Sequence, residues 1–308
     1  MKQIIPHLWF DKEAKEAAEF YTSLFPDSKV INTAEVKNTP SSDTDVVTFE
    51  IWGQKFMAIS AGPLFKFNPS VSFMVNFDPL NFGPASTRDK EAREKLDQVW
   101  NKLMEGGTAL MALDKYPFSE RYGWVQDKYG LSWQLILTNP EGEPRPPIVP
   151  SLLFVGSKYG KAEEAVNFYV TVFKNSKIGN LFRYGPGRLP DKEGTIMYGD
   201  VKLEETWFAV MDSAHQHMFD FNEAVSFVVQ CADQAEIDYY WNKLSAVPES
   251  EQCGWLKDKF GLSWQITPAI MEKMLYESTP EQMDRVTHAF LKMKKFDVAT
   301  LQRAYEGK

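Results

Sequence analysis

The sequence predicts an α+β fold made of four βαβββ modules paired into two domains. Three observations point there: a fourteen-residue string that occurs twice, the order of strand and helix periodicities within each half, and a proline-rich break between the halves. The string is Tyr122–Leu135, YGWVQDKYGLSWQL, and it returns as Cys253–Ile266, CGWLKDKFGLSWQI. Nine of the fourteen positions are identical without a gap. The differences include Val/Leu, Tyr/Phe and Leu/Ile, which keep chemical character. A chain of 308 residues has room for about two domains, and an internal repeat of this quality makes them related.

The periodicities take the first half in order. Ile4–Phe10 is a short apolar run and reads as a strand, with Pro6 near its start, where a missing N–H is tolerated. Asp11 is expected to cap a helix over Asp11–Phe25. Ala14, Ala17, Ala18, Tyr21 and Leu24 give that helix one apolar face. Strands are expected at Lys29–Val36, Val46–Trp52 and Lys55–Ser60. The same order then recurs. Val71–Phe77 alternates, a helix from Ser86 to Leu103 turns Leu96, Val99, Trp100 and Leu103 inward, and Gly106-Gly107 stops it. A strand near Thr108–Leu113 and two more in the repeated string complete the second module.

The second half matches the first piece by piece. VPSLLF at Val149–Phe154 answers IPHLWF at Ile5–Phe10, and FNEAVSF at Phe221–Phe227 answers FNPSVSF at Phe67–Phe73. WNKL occurs at Trp100–Leu103 and again at Trp241–Leu244. The predicted organisation is a first domain at 1–138, a linker at 139–147, a second domain at 148–268 and a helical extension at 269–308. The linker lies in Thr138–Pro150, where five prolines forbid regular structure. Ser278–Gln282 (STPEQ) is a helix start with a hydroxyl cap and Pro just inside. Asp297–Tyr305 reads as a short last helix, and the extension is expected to cap the second domain.

Composition bounds the function. The net charge is −8 and the pI about 5.2, so no basic face for nucleic acid is expected. The N-terminus does not read as a signal peptide, and no apolar run approaches the ~18–20 residues of a membrane span. Two cysteines, Cys231 and Cys253, without CxxC spacing read as reduced thiols. The chain reads as cytoplasmic, a monomer or homodimer.

Four βαβββ modules, with Gly-Trp-x-x-Asp-x-x-Gly-x-Ser-Trp-Gln closing each half, resemble the vicinal oxygen chelate (glyoxalase/bleomycin-resistance/dioxygenase) superfamily. Within it, the chain is similar to the PhnB-like branch, often labelled 3-demethylubiquinone-9 3-methyltransferase. The resemblance covers about residues 2–137 and 148–268, and the tail segment LKMKKFD at Leu291–Asp297 is similar to tails in that branch. It implies curled, mostly antiparallel sheets in which two modules form a cup, helices outside and a small ligand in the concavity. Metal-using members place ligands on the first strand of each module and a Glu on the last.

Carried onto this chain, those positions are His7 and Ser72 in the first half and Ser151 and Ser226 in the second, with Gln134 and Gln265 on the last strands. Taken half by half, the expected sets are His7-Ser72-Gln134 and Ser151-Ser226-Gln265. Hydroxyls are poor zinc or iron ligands, and an amide cannot neutralise a dication. No cofactor is therefore expected, with a divalent metal at His7 kept as the alternative. Ser132, Gln134 and Ile136 are expected to face the cup, with Leu131, Trp133 and Leu135 facing the helices. Glu50 and Asp200, read as matching positions, are candidates for a carboxylate in the cup. Trp124 and Trp255 are candidates for its lining. His215 and His217, with Asp212, form a weak chelate pattern. A usual S-adenosylmethionine site needs a strand, a Gly-rich turn and a helix, and neither glycine cluster, at Gly106-Gly107 or Gly185-Pro186-Gly187, has that context. The expected ligand is a small organic molecule held by hydrogen bonds and stacking.

Overall fold

A computed structural model describes residues 2–308. The first module is β1 (Ile5–Phe10), α1 (Ala14–Leu24), β2 (Lys29–Thr39), β3 (Ser42–Ile51) and β4 (Gln54–Ser60). The second is β5 (Val71–Phe77), α2 (Arg88–Met104), β6 (Thr108–Tyr116), β7 (Ser119–Gln126) and β8 (Ser132–Leu137). The third is β9 (Ile148–Phe154), α3 (Ala162–Val172), β10 (Lys177–Arg183), β11 (Ile196–Leu203) and β12 (Thr206–Asp212). The fourth is β13 (Val225–Cys231), α4 (Gln234–Leu244), β14 (Trp255–Lys257) and β15 (Ser263–Pro268), with a turn of 3-10 helix at Pro248–Ser250 where the other modules place their second strand. The extension forms α5 (Ile270–Glu277), α6 (Pro280–Phe290) and α7 (Val298–Glu306). No helix among the described residues is long and apolar enough to cross a membrane.

The modules pair across the halves, not within them. One seven-stranded sheet runs β14-β15-β13-β1-β4-β3-β2, which joins the fourth module to the first. The eight-stranded sheet runs β10-β11-β12-β9-β5-β8-β7-β6, which joins the third to the second. In the first sheet the seam is the antiparallel pair β1–β13, with His7 opposite Ser226. In the second it is β5–β9, with Ser72 opposite Ser151. The expected half-by-half cups are corrected accordingly. Alternation along a strand says which face a residue takes, but both seams satisfy the same alternation.

The helical faces follow the sequence pattern. α1 buries Ala14, Ala17, Ala18, Tyr21 and Leu24, and α2 buries Leu96, Val99, Trp100 and Leu103. The predicted Asp11 cap does not form. The helix begins after Glu13, and the Ala14 N–H donates to Ser60 Oγ at 3.2 Å instead. The predicted start of α6 does form, as a capping box between Thr279 and Gln282.

The outer faces of both sheets and the helices α1–α4 share one core, which extends into the tail through Met274, Val286, Phe296 and Leu301. The repeated string supplies the centre of that core. Asp127 accepts from Tyr21 Oη at 2.7 Å, Trp133 Nε1 at 2.9 Å and the backbone N–H groups of Tyr129 and Leu131. Asp258 does the same with Tyr169 at 2.7 Å, Trp264 at 2.8 Å and the N–H groups of Phe260 and Leu262. Burial holds both carboxyls above the usual range, against the pull of those four donors. The string's Gly-Trp glycines are set by close approach. A Cβ on Gly123 would lie 2.5 Å from the Trp100 ring, and one on Gly254 would lie 2.4 Å from Phe296 of the tail.

Candidate functional site

The seven-stranded sheet bears a cavity of about 590 Å3. Its floor is the seam. His7 comes from β1 and Gln265 from β15, and Gln265 Nε2 donates to Ser226 Oγ at 2.9 Å. Trp255 on β14 meets the His7 ring edge-on, with centroids 5.5 Å apart. Trp9, two positions after His7 and so on the same face, stands 6.0 Å from Trp255 and 5.0 Å from Phe65. Its indole N–H is tied to the Gly62 carbonyl at 2.8 Å. His7 is only 4% exposed, and its Nδ1 has no hydrogen-bond partner. Burial pushes its pKa down to about 3, so the imidazole is neutral at ordinary pH.

The tail roofs this cavity. Met271, Leu275, Phe290 and Phe296 form part of its wall. α5 is fixed to the sheet by Tyr276, whose hydroxyl is 2.6 Å from Thr48 Oγ1, and by Glu272, which accepts from Lys55 at 2.8 Å and Gln230 at 3.1 Å. The extension was expected to cap the second domain. It covers a cup that both halves build, contacting β2 as well as the loop before β14.

The eight-stranded sheet has closed its own floor. Gln134 Nε2 donates to Ser72 Oγ at 2.8 Å and lies 3.4 Å from Ser151 Oγ, while Tyr122 Oη donates to Gln134 Oε1 at 2.7 Å. Trp124 Nε1 donates to Ser132 Oγ at 3.3 Å. The linker enters this cup. The Arg145 guanidinium lies 4.0 Å from the centre of the Trp207 ring, and its Nε donates to the buried Asp200 at 2.8 Å.

The predicted residues therefore regroup. His7, Ser226, Trp255 and Gln265 come together in the roofed cup, and Ser72, Trp124, Gln134 and Ser151 in the other. Glu50 joins neither. It pairs with Lys55 beside the β3–β4 turn and is absent from the cavity wall. Nor does it match Asp200: Asp200 pairs with Ala209, three residues past Thr206 at the turn, and its counterpart is Thr48, which pairs with Met57. Asp212 is no chelate partner for His215 and His217, because its carboxylate accepts from the N–H groups of Gly160, Ala162 and Ile196. Sequence reasoning missed Trp9, Arg145 and Glu272. Trp9 carried a signal, since it shares the strand face of His7.

A divalent metal, which the fold brings to mind, fits the roofed cup poorly. The donors are one imidazole, one hydroxyl already bonded to Gln265, and an amide oxygen. No cluster of three His, Cys, Asp or Glu side chains that could hold a metal occurs among the described residues. Of the four carboxylates in the wall, Glu272 is engaged by Lys55 and Gln230, Glu223 by Lys257 and Glu251 by Lys294, and Glu249 is exposed.

Two curled sheets, each a pair of βαβ-type modules with helices outside and a cup within, define the vicinal oxygen chelate fold. The chain belongs to the 3-demethylubiquinone-9 3-methyltransferase (PhnB-like) family, whose model matches residues 2–136 and again 146–267. Among solved structures, a PhnB protein from Bacillus cereus described under the same methyltransferase name is 37% identical over 44% of this chain and 98% of its own, with a TM-score of 0.37. A protein from Staphylococcus aureus is 30% identical over 44% of this chain and 96% of its own, with a TM-score of 0.17. Glyoxalase I from Zea mays covers 87% of this chain and 93% of its own at 10% identity and a TM-score of 0.50, a likeness of fold. No match was found among curated proteins.

Proposed function

We propose that the protein binds a small organic molecule in the roofed cup and uses no strong metal site to do so. One observation carries this reading: a cavity of about 590 Å3, walled mainly by apolar side chains, with the unpartnered His7 in its floor. That is the size and character of a small-molecule site, an apolar body with few polar anchors. A buried neutral imidazole in that floor is one of few polar groups among apolar walls, and its Nδ1 makes no hydrogen bond among the described residues. The second cup has spent its corresponding groups on one another, so binding is assigned to the first alone.

Tryptophan fluorescence titration against a library of small aromatic and aliphatic compounds tests the reading, because Trp9 and Trp255 stand in the wall. Binders should raise the melting temperature, and His7→Ala should weaken them about tenfold, the worth of a hydrogen bond made in a buried site. Failure to find any saturable binder would sink the proposal. Metal analysis of protein purified without a histidine tag tests the metal enzyme. Stoichiometric metal lost on His7→Ala would replace the proposed function with it. Calorimetry with S-adenosylmethionine tests the methyltransferase reading that comes with the family's description, and near-millimolar silence would remove it.

A further inference from the structure

The charges around the roofed cup say what kind of molecule it takes. Four carboxylate residues stand in its wall: Glu223, Glu249, Glu251 and Glu272. No lysine or arginine does, among the described residues. Three of the four are ion-paired, Glu223 with Lys257 at 2.8 Å, Glu251 with Lys294 at 3.4 Å and Glu272 with Lys55 at 2.8 Å. The glutamate of each pair belongs to the cavity wall and its lysine does not. Glu249 makes no ion pair among the described residues. His7 adds no positive charge, since burial keeps it neutral. The wall therefore offers carboxylates to a cation, Glu249 without a competing lysine, and no cationic side chain to an anion.

Acidic side chains alone would not make a site. Here they stand with a second and independent feature, the 96%-buried His7 with its unpartnered Nδ1 in the floor, edge-on to Trp255, which with Phe65 flanks Trp9. Indole faces attract cations, most strongly where water is excluded. The other cup shows the same chemistry satisfied from within. Arg145 lies on the Trp207 ring with Asp200 as its counter-ion, a cation held by an indole and a buried carboxylate.

We propose that the ligand of the roofed cup is an organic cation with an aromatic body, and that molecules carrying a carboxylate, sulfonate or phosphate of similar size are rejected. This rests on the reading that the cup binds small molecules. The aromatic body would lie against the cavity side of Trp9, Phe65 and Trp255. The cationic head would sit towards the carboxylates, and a donor or acceptor on the body would meet His7.

A matched pair tests it: (2-naphthylmethyl)trimethylammonium and 2-naphthaleneacetate, each displacing the neutral fluorescent probe N-phenyl-1-naphthylamine from the full chain. The cation should displace the probe at a concentration at least about tenfold lower than the anion, the effect of one unit charge in a partly buried field. Glu223→Gln with Glu249→Gln, which neutralises two half-buried or exposed side chains, should narrow that ratio to within about threefold. Trp255→Ala should weaken the cation more than the neutral probe. Equal or tighter displacement by 2-naphthaleneacetate, with the probe binding normally, would overturn the charge class and leave small-molecule binding standing. No binding of the probe or of either naphthalene compound would overturn both.

Discussion

His7 and Ser226 lie directly opposite one another across the antiparallel pair that joins the first strand of the chain to the first strand of its last module. The relationship interlocks the halves. The imidazole comes from one copy of the repeat, and the hydroxyl, the amide of Gln265 and the indole of Trp255 come from the other. Neither half holds a complete cup. A duplicated module has thus produced two unlike sites: one roofed by the tail around a cavity, the other closed on itself with a linker arginine inside.

This pairing makes an energetic claim about residues far apart in sequence. Trp255→Phe in the second half and His7→Ala in the first should each weaken a ligand of the roofed cup. Their effects should not add, because the two rings touch at 5.5 Å. Trp124→Phe, the same substitution in the other copy of the string, should leave affinity unchanged. Fluorescence titration of the four proteins and the wild type checks this. A loss of affinity in Trp124→Phe equal to that in Trp255→Phe would contradict it.

His7 also sets a pH dependence of stability. Its folded pKa is about 3, against 6.5 for a free imidazole. Between those values the unfolded chain holds a proton that the folded chain refuses. The His7 contribution is therefore fully present above about 6.5 and is lost as pH falls towards 3, at about 1.4 kcal/mol per pH unit. Urea unfolding near pH 7 and near pH 5 should show wild type losing about 2 kcal/mol more than His7→Gln over that interval. Parallel losses in the two proteins would show that His7 takes its proton without unfolding.

Asp127 and Asp258 hold the two copies of the repeated string by four hydrogen bonds each. Asp127→Ala leaves the Tyr21 hydroxyl, the Trp133 indole and two backbone N–H groups buried without an acceptor, and Asp258→Ala does the same to its own set. Each should cost about 3 kcal/mol or more in urea unfolding, since unsatisfied buried donors cost about 1–3 kcal/mol apiece and relaxation recovers part. The Asn variants keep one acceptor oxygen and should lose less. Asp127 belongs to the other sheet, so affinity in Asp127→Ala that remains folded should be unchanged, whereas Asp258 closes the hairpin that carries Trp255 and Gln265, and Asp258→Ala should weaken binding as well.

Much of this was legible in the sequence, and the part that was not has a common cause. Strand and helix periodicity placed Ser132, Gln134 and Ile136 on one face and Leu131, Trp133 and Leu135 on the other, and the structure keeps both sets. Periodicity is local. It carried no information on whether β1 joins β5 or β13, since Ser72 and Ser226 sit in near-identical strings, FNPSVSF and FNEAVSF. It could match Glu50 to Asp200 by neighbourhood but not by register, which counts from the turn and pairs Thr48 with Met57 as Asp200 with Ala209. The Asp of the repeated string stands in an Asp-x-x-Gly pattern, which by itself reads as a turn. Its role as an acceptor for Tyr21 and Tyr169 depends on helices that come more than eighty residues earlier.

The tail gives the last prediction. The sequence predicts that it docks as a cap, and only the fold says where. Met274 on α5 is fully buried, and Tyr276 two positions on bonds Thr48 of β3. Truncating a buried Met costs about 2–5 kcal/mol where the site cannot collapse. Met274 joins the common core, but the tail adds no strand to either sheet, so the Met274→Ala cost should fall on docking first and on global unfolding second. Hydrogen exchange should then quicken in residues 270–290 while β1, β13 and β15 keep their protection. Ligand affinity should drop with it, because Met271, Leu275 and Phe290 leave the cavity wall when the roof lifts. Exchange that quickens equally in β1 and in α5 would mean that tail and cup unfold as one unit, and that the roof is part of the core it covers.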